Sequence, residues 1–214
     1  MNAFRNQYPR LLEKELVAAG LDSVLDVGCG SSSPIRSFSK KIPLTVGADG
    51  FLPSIEKSQA QGIHQKYVQV DFRNLENYFQ EKSFDAVIAL DVIEHFEKPE
   101  AIALIQKLEK IAKKKVVLFT PHGFLKQGVY DQNQFQLHRC GFDVSELKKM
   151  GYRVLGVHGL KPFRGEYADI RFKPKKFWTL VSWLTQPFAQ VFPKTAFQLL
   201  AIKEFPATEA GALK

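Results

Sequence analysis

The chain reads as an α/β protein, a doubly wound sheet with helices on both faces. Three observations predict this. Short β-branched runs alternate with helical periodicity along most of the length. One run, Ser83-Phe84-Asp85-Ala86-Val87-Ile88-Ala89-Leu90, is nearly continuously apolar, as a strand covered on both faces must be. A third run, Val24-Leu25-Asp26-Val27, breaks into Gly28-Cys29-Gly30. Two glycines spaced by one residue let the backbone turn sharply beside a ligand, and the small residues Ser31, Ser32 and Ser33 let a helix start close by. The N-terminus of that helix offers unpaired amide donors to whatever sits over the turn.

The 214 residues, 45% of them hydrophobic and 24% charged, suffice for one globular domain with an ample core, placed at 1–205. The tail 206–214 has little to bury and is expected to fray. Two cysteines, Cys29 and Cys140, build neither a disulfide framework nor a zinc site by themselves, which favours a reducing, cytoplasmic setting. Residues 1–10 are polar and do not read as a signal peptide, and the apolar stretch 177–192 is broken by Gln186, Pro187 and Gln190, so it does not read as a membrane span. Charge is unevenly placed. Residues 1–100 carry 11 Lys/Arg against 14 Asp/Glu, and residues 101–214 carry 19 against 8, so the halves stand at −3 and +11. A basic half suggests an anionic partner: an acidic or phosphorylated small molecule, an anionic membrane, or RNA. Solvated helix faces account for part of it, as at Lys110, Lys113, Lys114 and Lys115.

In chain order, Leu11, Leu12, Glu15, Leu16 and Ala19 recur at helical spacing within 4–19, and Gly20 supplies a stop. The strand at 24–27 and its glycine turn lead to a short helix around 35–41. A second strand at 44–49 ends in Asp49, an acid placed to accept hydrogen bonds from ribose hydroxyls; Phe51 follows, suited either to adenine or to the core. After a helix at 54–61, a third strand is predicted at 67–72, closing on Asp71 and Phe72; capping of the next turn is the structural role open to Asp71. The fourth strand ends at Leu90 and runs into Asp91-Val92-Ile93-Glu94-His95-Phe96. Pro99 then opens an amphipathic helix with Ala101, Ile102, Leu104, Ile105, Leu108 and Ile111 on its apolar face. A fifth strand at 115–121 is followed by a long polar and aromatic loop, 121–139, of a length that is more often functional than not. Asp143 caps a helix with Glu146 at its third position, and strands at 152–157 and 197–203 complete a count of seven. Between them lies an insertion, 160–196, with Phe177, Val181, Leu184, Phe188 and Val191 on one helical face and Lys173, Lys175, Lys176 and Lys194 around it. Such a stripe is most often packed on its own domain; a lid, a dimer contact and an interfacial helix are the alternatives.

Asp26-x-Gly28-x-Gly30 resembles the first motif of class I S-adenosylmethionine-dependent methyltransferases. A dinucleotide fingerprint wants a third glycine where Ser33 stands, and Asp26 would repel a pyrophosphate but attract a cationic amino group. The resemblance, to small-molecule members of the type 11 and 12 kind, covers about 20–160 plus 197–204. It implies a Rossmann-like, seven-stranded mixed sheet, S-adenosylmethionine as cofactor and S-adenosylhomocysteine as product. It implies that Asp26, Gly28, Cys29 and Gly30 hold the amino-acid end of the cofactor. Asp49, Gly50 and Phe51 then hold the nucleoside, Asp71 and Phe72 the adenine, and Leu90 and Asp91 lie beneath. The segment around Glu94-His95 is similar to one that faces the substrate in that family.

Methyl transfer from a sulfonium needs mainly in-line positioning in a site shut from water, and a hydroxyl acceptor gains from a general base. The candidates, in order, are His138, His95 and His122; His64 and His158 are weaker, because they do not follow the carboxyl ends of strands. No divalent-metal constellation is read, no Asn-Pro-Pro-Tyr segment follows the fourth strand, and no Pro-Cys nucleophile stands there. The segments 120–124 and 136–142 are similar to bacterial small-molecule methyltransferases associated with surface sugars and secondary metabolites. The expected function is therefore O-methylation of a small, anionic or lipid- or sugar-linked acceptor. Peripheral membrane contact through 173–194 is a further expectation, and the chain is expected to be a monomer or homodimer. An RNA methyltransferase and a non-catalytic binding protein are the alternatives.

Overall fold

A computed structural model describes residues 7–127, 136–165 and 168–206. Seven strands form one sheet: β1 (Ser23–Val27), β2 (Leu44–Asp49), β3 (Lys66–Gln69), β4 (Phe84–Leu90), β5 (Ala112–Pro121), β6 (Arg153–Leu160) and β7 (Ala196–Glu204). Their order is β3-β2-β1-β4-β5-β7-β6, parallel except for β7, which runs antiparallel to both neighbours. The sequence's α/β, doubly wound, mixed sheet is the fold observed.

The apolar periodicity decides which face each residue serves. Along β4, Val87 and Ala89 join one buried cluster with Ala101, Leu104, Ile105 and Leu108 of α3 (Lys98–Ile111). Ala86, Ile88 and Leu90 point the other way, into a second cluster with Tyr8, Leu12 and Leu16 of α1 (Gln7–Leu16). Both faces being covered, the strand has no solvated position, and its one charged residue, Asp85, is buried with its carboxylate accepting from the Asp22 amide at 3.0 Å and from Lys114 Nζ at 3.0 Å. Each fully buried leucine removed from such a core costs about 2–5 kcal/mol.

The third strand is shorter than the predicted 67–72, because Asp71 accepts the Arg73 amide at 2.9 Å and starts a 3-10 turn over Phe72–Asn77. The helix expected at 54–61 begins earlier, as α2 (Leu52–Ala60). The short helix expected at 35–41 is two 3-10 turns, Pro34–Ser37 and Ser39–Lys41. Residues 4–6 of the first predicted helix and 207–214 of the tail lie outside the described residues. Asp143 and Glu146 form the expected capping box on α4 (Val144–Lys149): Asp143 Oδ1 accepts from the Glu146 amide, and Glu146 Oε2 accepts from the Asp143 amide.

The insertion departs most from expectation. Its helical stripe divides at Thr185 into α5 (Lys175–Leu184) and α6 (Gln186–Val191), ahead of Pro187. The expected apolar face is not packed on the domain. Of its five residues Phe177, Leu184, Phe188 and Val191 are exposed and Val181 is half-buried; Leu180 beside them is exposed too, and the small or polar Ser182, Gln186 and Ala189 are buried instead.

Candidate active site

The open sheet reverses its order between β1 and β4, and a cleft opens there beyond the carboxyl ends of the strands, where ligands bind in sheets of this kind. It encloses about 540 Å³. Its floor is the glycine turn. Gly28 has φ of +77°, and a Cβ there would lie 2.3 Å from Val92 Cγ2, so only glycine fits both the turn and the packing beneath it. The amides of Gly28 and Cys29 are tied to the Ala48 carbonyl, which fixes β1's turn to the end of β2.

Asp26 is buried at the head of this turn. Its Oδ2 accepts from Ser33 Oγ at 2.6 Å and sits 3.0 Å from His64 Nε2, while its Oδ1 is buried with no hydrogen-bond partner among the described residues. Asp49 spans the turn from the other side: Oδ2 accepts the Gly30 amide at 2.9 Å and Oδ1 the Phe51 amide at 2.8 Å. Burial raises its carboxyl above the ordinary range, against the lowering effect of those amides. Cys29 is buried, and burial together with the charge of Asp26 pushes its thiol far up, so it is no nucleophile. Asp49, Gly50 and Phe51, at the end of β2, are not among the residues lining this cleft. Asp71 is outside this cleft's lining; it caps the next turn and lies 3.8 Å from Arg73 on an exposed surface, with Phe72 against the core and 6.2 Å from Phe96.

The opposite wall carries Leu90, Asp91, His95, Gln136 and His138. Asp91 adopts a positive φ of 55° and accepts from Gln198 Nε2 at 3.2 Å. Its carboxyl opens onto the cleft, yet removal from bulk water pushes it up to about 7. Glu94 is buried outright, and burial together with the charge of Asp91 raises its carboxyl well above the usual glutamate range. Its Oε2 accepts from Thr120 Oγ1 at 3.1 Å; Oε1 is buried without a hydrogen-bond partner among the described residues. Burial and the neighbouring His138 push His95 down to about 4, so it is a neutral imidazole at neutral pH. His95 Nδ1 is 3.3 Å from the Leu137 carbonyl and His138 Nδ1 2.7 Å from the Leu125 carbonyl, contacts that make Nδ1 the donor and put the basic lone pair of each ring on Nε2. The two rings are 5.0 Å apart. Glu94, His95 and His138 each bring one ligand atom to within 4.8 Å of the others, an arrangement able to hold a divalent cation. No such constellation is legible in the sequence, because His138 is far along the chain from Glu94.

His122 is not part of this cleft's lining. Its Nδ1 is 3.0 Å from the Ala196 carbonyl, and burial lowers its pKa. Two histidines ranked low by the sequence are moved up instead. His64 is the buried partner of Asp26, and His158 lines the cleft, hydrogen-bonded to Gln198. Tyr8 carries no signal of a site in the sequence, yet it lines the cleft: it stacks on Phe119 at 3.9 Å, and its hydroxyl is buried without a hydrogen-bond partner among the described residues. Gln198 carried a readable signal, a polar residue inside an otherwise apolar strand. A second cavity of about 670 Å³ lies alongside, sharing Leu125 and Phe197 with the first.

Residues 25–120 match a family model described as a methyltransferase domain. No curated protein matches the chain significantly. Among solved structures, the chain is similar to the magnesium protoporphyrin IX methyltransferase of Synechocystis PCC 6803 with bound S-adenosylhomocysteine. That match has 16% identity and TM-score 0.56, and it covers 94% of this chain and 84% of that one. It is also similar to DhpI in complex with S-adenosylhomocysteine (14% identity, TM-score 0.60, 96% and 87% covered). A third is the methyltransferase domain of a bacterial Hen1 (15% identity, TM-score 0.58, 94% and 100% covered). The cleft fits S-adenosylmethionine: the unpartnered Asp26 Oδ1 is a waiting acceptor for a cationic amino group, and the glycine turn leaves backbone space above it.

Proposed function

We propose, from the match of residues 25–120 to a methyltransferase domain and from the cleft's chemistry, that the chain is a class I S-adenosylmethionine-dependent methyltransferase that methylates a hydroxyl of a small anionic acceptor, lipid- or sugar-linked, in a reducing, cytoplasmic setting. The observation that carries the acceptor class is the second cavity. Lys161, Arg164, Arg171 and Lys194 line it among Leu125, Leu160, Phe188 and Phe197, a combination that suits an acid group joined to an apolar body.

Asp26 and the glycine turn would hold the amino-acid end of the cofactor, Asp49 the ribose and Phe51 the adenine; Asp71, the cap of the next turn, and Phe72, packed on the core, are outside the cleft's lining and are not assigned to it. Bound S-adenosylmethionine supplies a methyl on a sulfonium, which an oxygen nucleophile takes directly. What remains for the protein is positioning, exclusion of water and acceptance of a proton. His138 is the first residue proposed to take that proton and His95 the second, each through Nε2. Tyr8, Gln198 and His158 line the same space and orient the acceptor. His122 lines neither cavity and is given no part in the transfer.

The test is transfer of labelled methyl from S-adenosylmethionine to acceptor classes offered in parallel: acidic glycolipids, anionic phospholipids, sugar phosphates and short RNAs. Label in an ether of a lipid or sugar supports the reading. Label in RNA alone overturns it in favour of an RNA methyltransferase, which the basic second half would serve. Tight S-adenosylhomocysteine binding with no transfer to any class points to a non-catalytic protein.

A further inference from the structure

A surface helix ordinarily turns its apolar stripe to the core. Here α5 and α6 do the opposite. Ser182 and Gln186 face inward because they carry the hydrogen bonds that dock the helices: Ser182 Oγ donates to the His158 carbonyl at 3.2 Å, Gln186 Nε2 to the Gly156 carbonyl at 2.9 Å, and Gln186 Oε1 accepts the Gly159 amide at 2.7 Å. The approach is as close as backbone allows, since a Cβ on Gly156 or Gly159 would stand 2.1 Å from the Ala189 or Ser182 carbonyl oxygen. With the docking face made of glycine, serine, glutamine and alanine, the large apolar residues are left outside. Phe177 is 54% exposed, Leu184 61% and Val191 72%. This is a costly arrangement in water unless something apolar covers it.

The charges say what covers it. From 170 to 196 the sequence has five basic residues, Arg171, Lys173, Lys175, Lys176 and Lys194, and no acidic one. Lys175 reaches back to Asp169 at 3.1 Å; Lys173, Lys176 and Lys194 have no ion pair among the described residues. An apolar face bracketed by cations matches a bilayer whose headgroups are anionic, because lysine stems can lie along the apolar surface while their ammonium groups meet phosphates. A second copy of the chain would bring the same cations against themselves. No helix among the described residues is long and apolar enough to cross a membrane.

We propose that the outward face of α5 and α6 seats the protein on an anionic membrane surface, with the mouth of the second cavity at the headgroups. Phe188 and Lys194 belong both to that cavity's wall and to the outward face, so an acceptor anchored in the bilayer enters beside them. The seating stands on the helices alone; the entry route rests on the acceptor reading above.

The test is sedimentation with vesicles of phosphatidylcholine alone and of phosphatidylcholine mixed with phosphatidylglycerol, at low and high salt. S-adenosylhomocysteine binding is measured separately on every variant. Seating predicts partition to the mixed vesicles only, weakened by salt and lost in Leu180→Ser combined with Leu184→Ser. Charge reversal at Lys173→Glu and Lys176→Glu lowers it about tenfold or more, and this pair tests the proposal should the serine variant not fold. Equal binding to neutral vesicles overturns the anionic surface. No binding by a protein that still takes up S-adenosylhomocysteine overturns the seating and leaves the methyltransferase reading intact. A dimer that forms without vesicles and is lost in the serine variant assigns the face to a second copy and overturns the proposal. Loss of S-adenosylhomocysteine binding in the unaltered chain would strike the methyltransferase reading and not this one.

Discussion

His64 Nε2 stands 3.0 Å from Asp26 Oδ2, with both side chains buried beneath the glycine turn. The histidine comes from the segment between α2 and β3, so the residue that steadies this buried acid is set by the far edge of the sheet. Ser33 Oγ holds the same oxygen from the other side. Together they fix the plane of the carboxylate and leave Oδ1 for a ligand. Replacing His64 by leucine removes one of two partners from a buried acid and is expected to cost about 1.5–3 kcal/mol. Denaturant unfolding measures that loss, and calorimetry with S-adenosylhomocysteine is expected to show weaker binding. His64→Gln, which keeps a donor, recovers part of both. Unchanged affinity in His64→Leu would mean that Asp26 does not need this support.

Asp49 holds two amides, that of Gly30 in the glycine turn and that of Phe51 beyond β2, before it meets any ribose. Asp49→Ala therefore loosens the turn and removes the ribose acceptor together, and S-adenosylhomocysteine affinity is expected to fall about a hundredfold, the value of two hydrogen bonds to a charged group. Asp49→Asn keeps one acceptor and falls less. NAD is expected not to bind either protein, since Asp26 stands where a pyrophosphate would come.

The wall opposite the cofactor separates a base from a cation site by experiment. His138→Ala is expected to lower kcat about a hundredfold or more if its imidazole takes the proton, with S-adenosylhomocysteine affinity unchanged. His122→Ala is expected to leave kcat nearly as it was, because His122 is outside the cleft's lining. Chelation is the second arm. If Glu94, His95 and His138 bind a divalent cation, added manganese raises the unfolding temperature of the chain but not of Glu94→Gln, and activity falls on chelation. If neither responds to metal, the histidines act as bases alone.

How much of this was legible depends on how local each signal is. The β4 run, the Gly28-Cys29-Gly30 turn and the Asp143–Glu146 cap are short-range patterns, and all three elements are where the residues put them. The end of β2 at Asp49 was read correctly for the same reason. What escaped were pairings across the chain: His64 with Asp26, His138 with Glu94, Tyr8 on Phe119. Asp71 was a local ambiguity, and its cap on the next turn shortened the predicted third strand. The stripe on α5 and α6 has the predicted period and faces the opposite way, outward. Periodicity fixes which residues share a face, and only the hydrogen bonds of Ser182 and Gln186 decide which face turns inward.

Glu15 joins α1 to the other edge of the sheet and sets the acid limit of the fold. Its carboxylate accepts from Lys115 Nζ at 2.9 Å and from Arg153 at 2.9 Å. Burial alone would raise its pKa, but the hydrogen bonds from Arg153 and Lys115 outweigh burial and hold it below the usual glutamate range. The native state then binds fewer protons here than the unfolded chain does, so this stability is present above the ordinary glutamate pKa and is lost as pH falls through the lowered native value. Glu15→Gln is expected to cost about 1–2 kcal/mol near neutral pH, discounted because Arg153 is half exposed. The cost is expected to vanish in acid, so the two stability curves converge as pH is lowered. Unfolding free energies followed from about pH 7 to about pH 3 test this; curves that stay parallel would show that the ion pairs hold no pH-dependent stability and that α1 is kept in place by Tyr8, Leu12 and Leu16 alone.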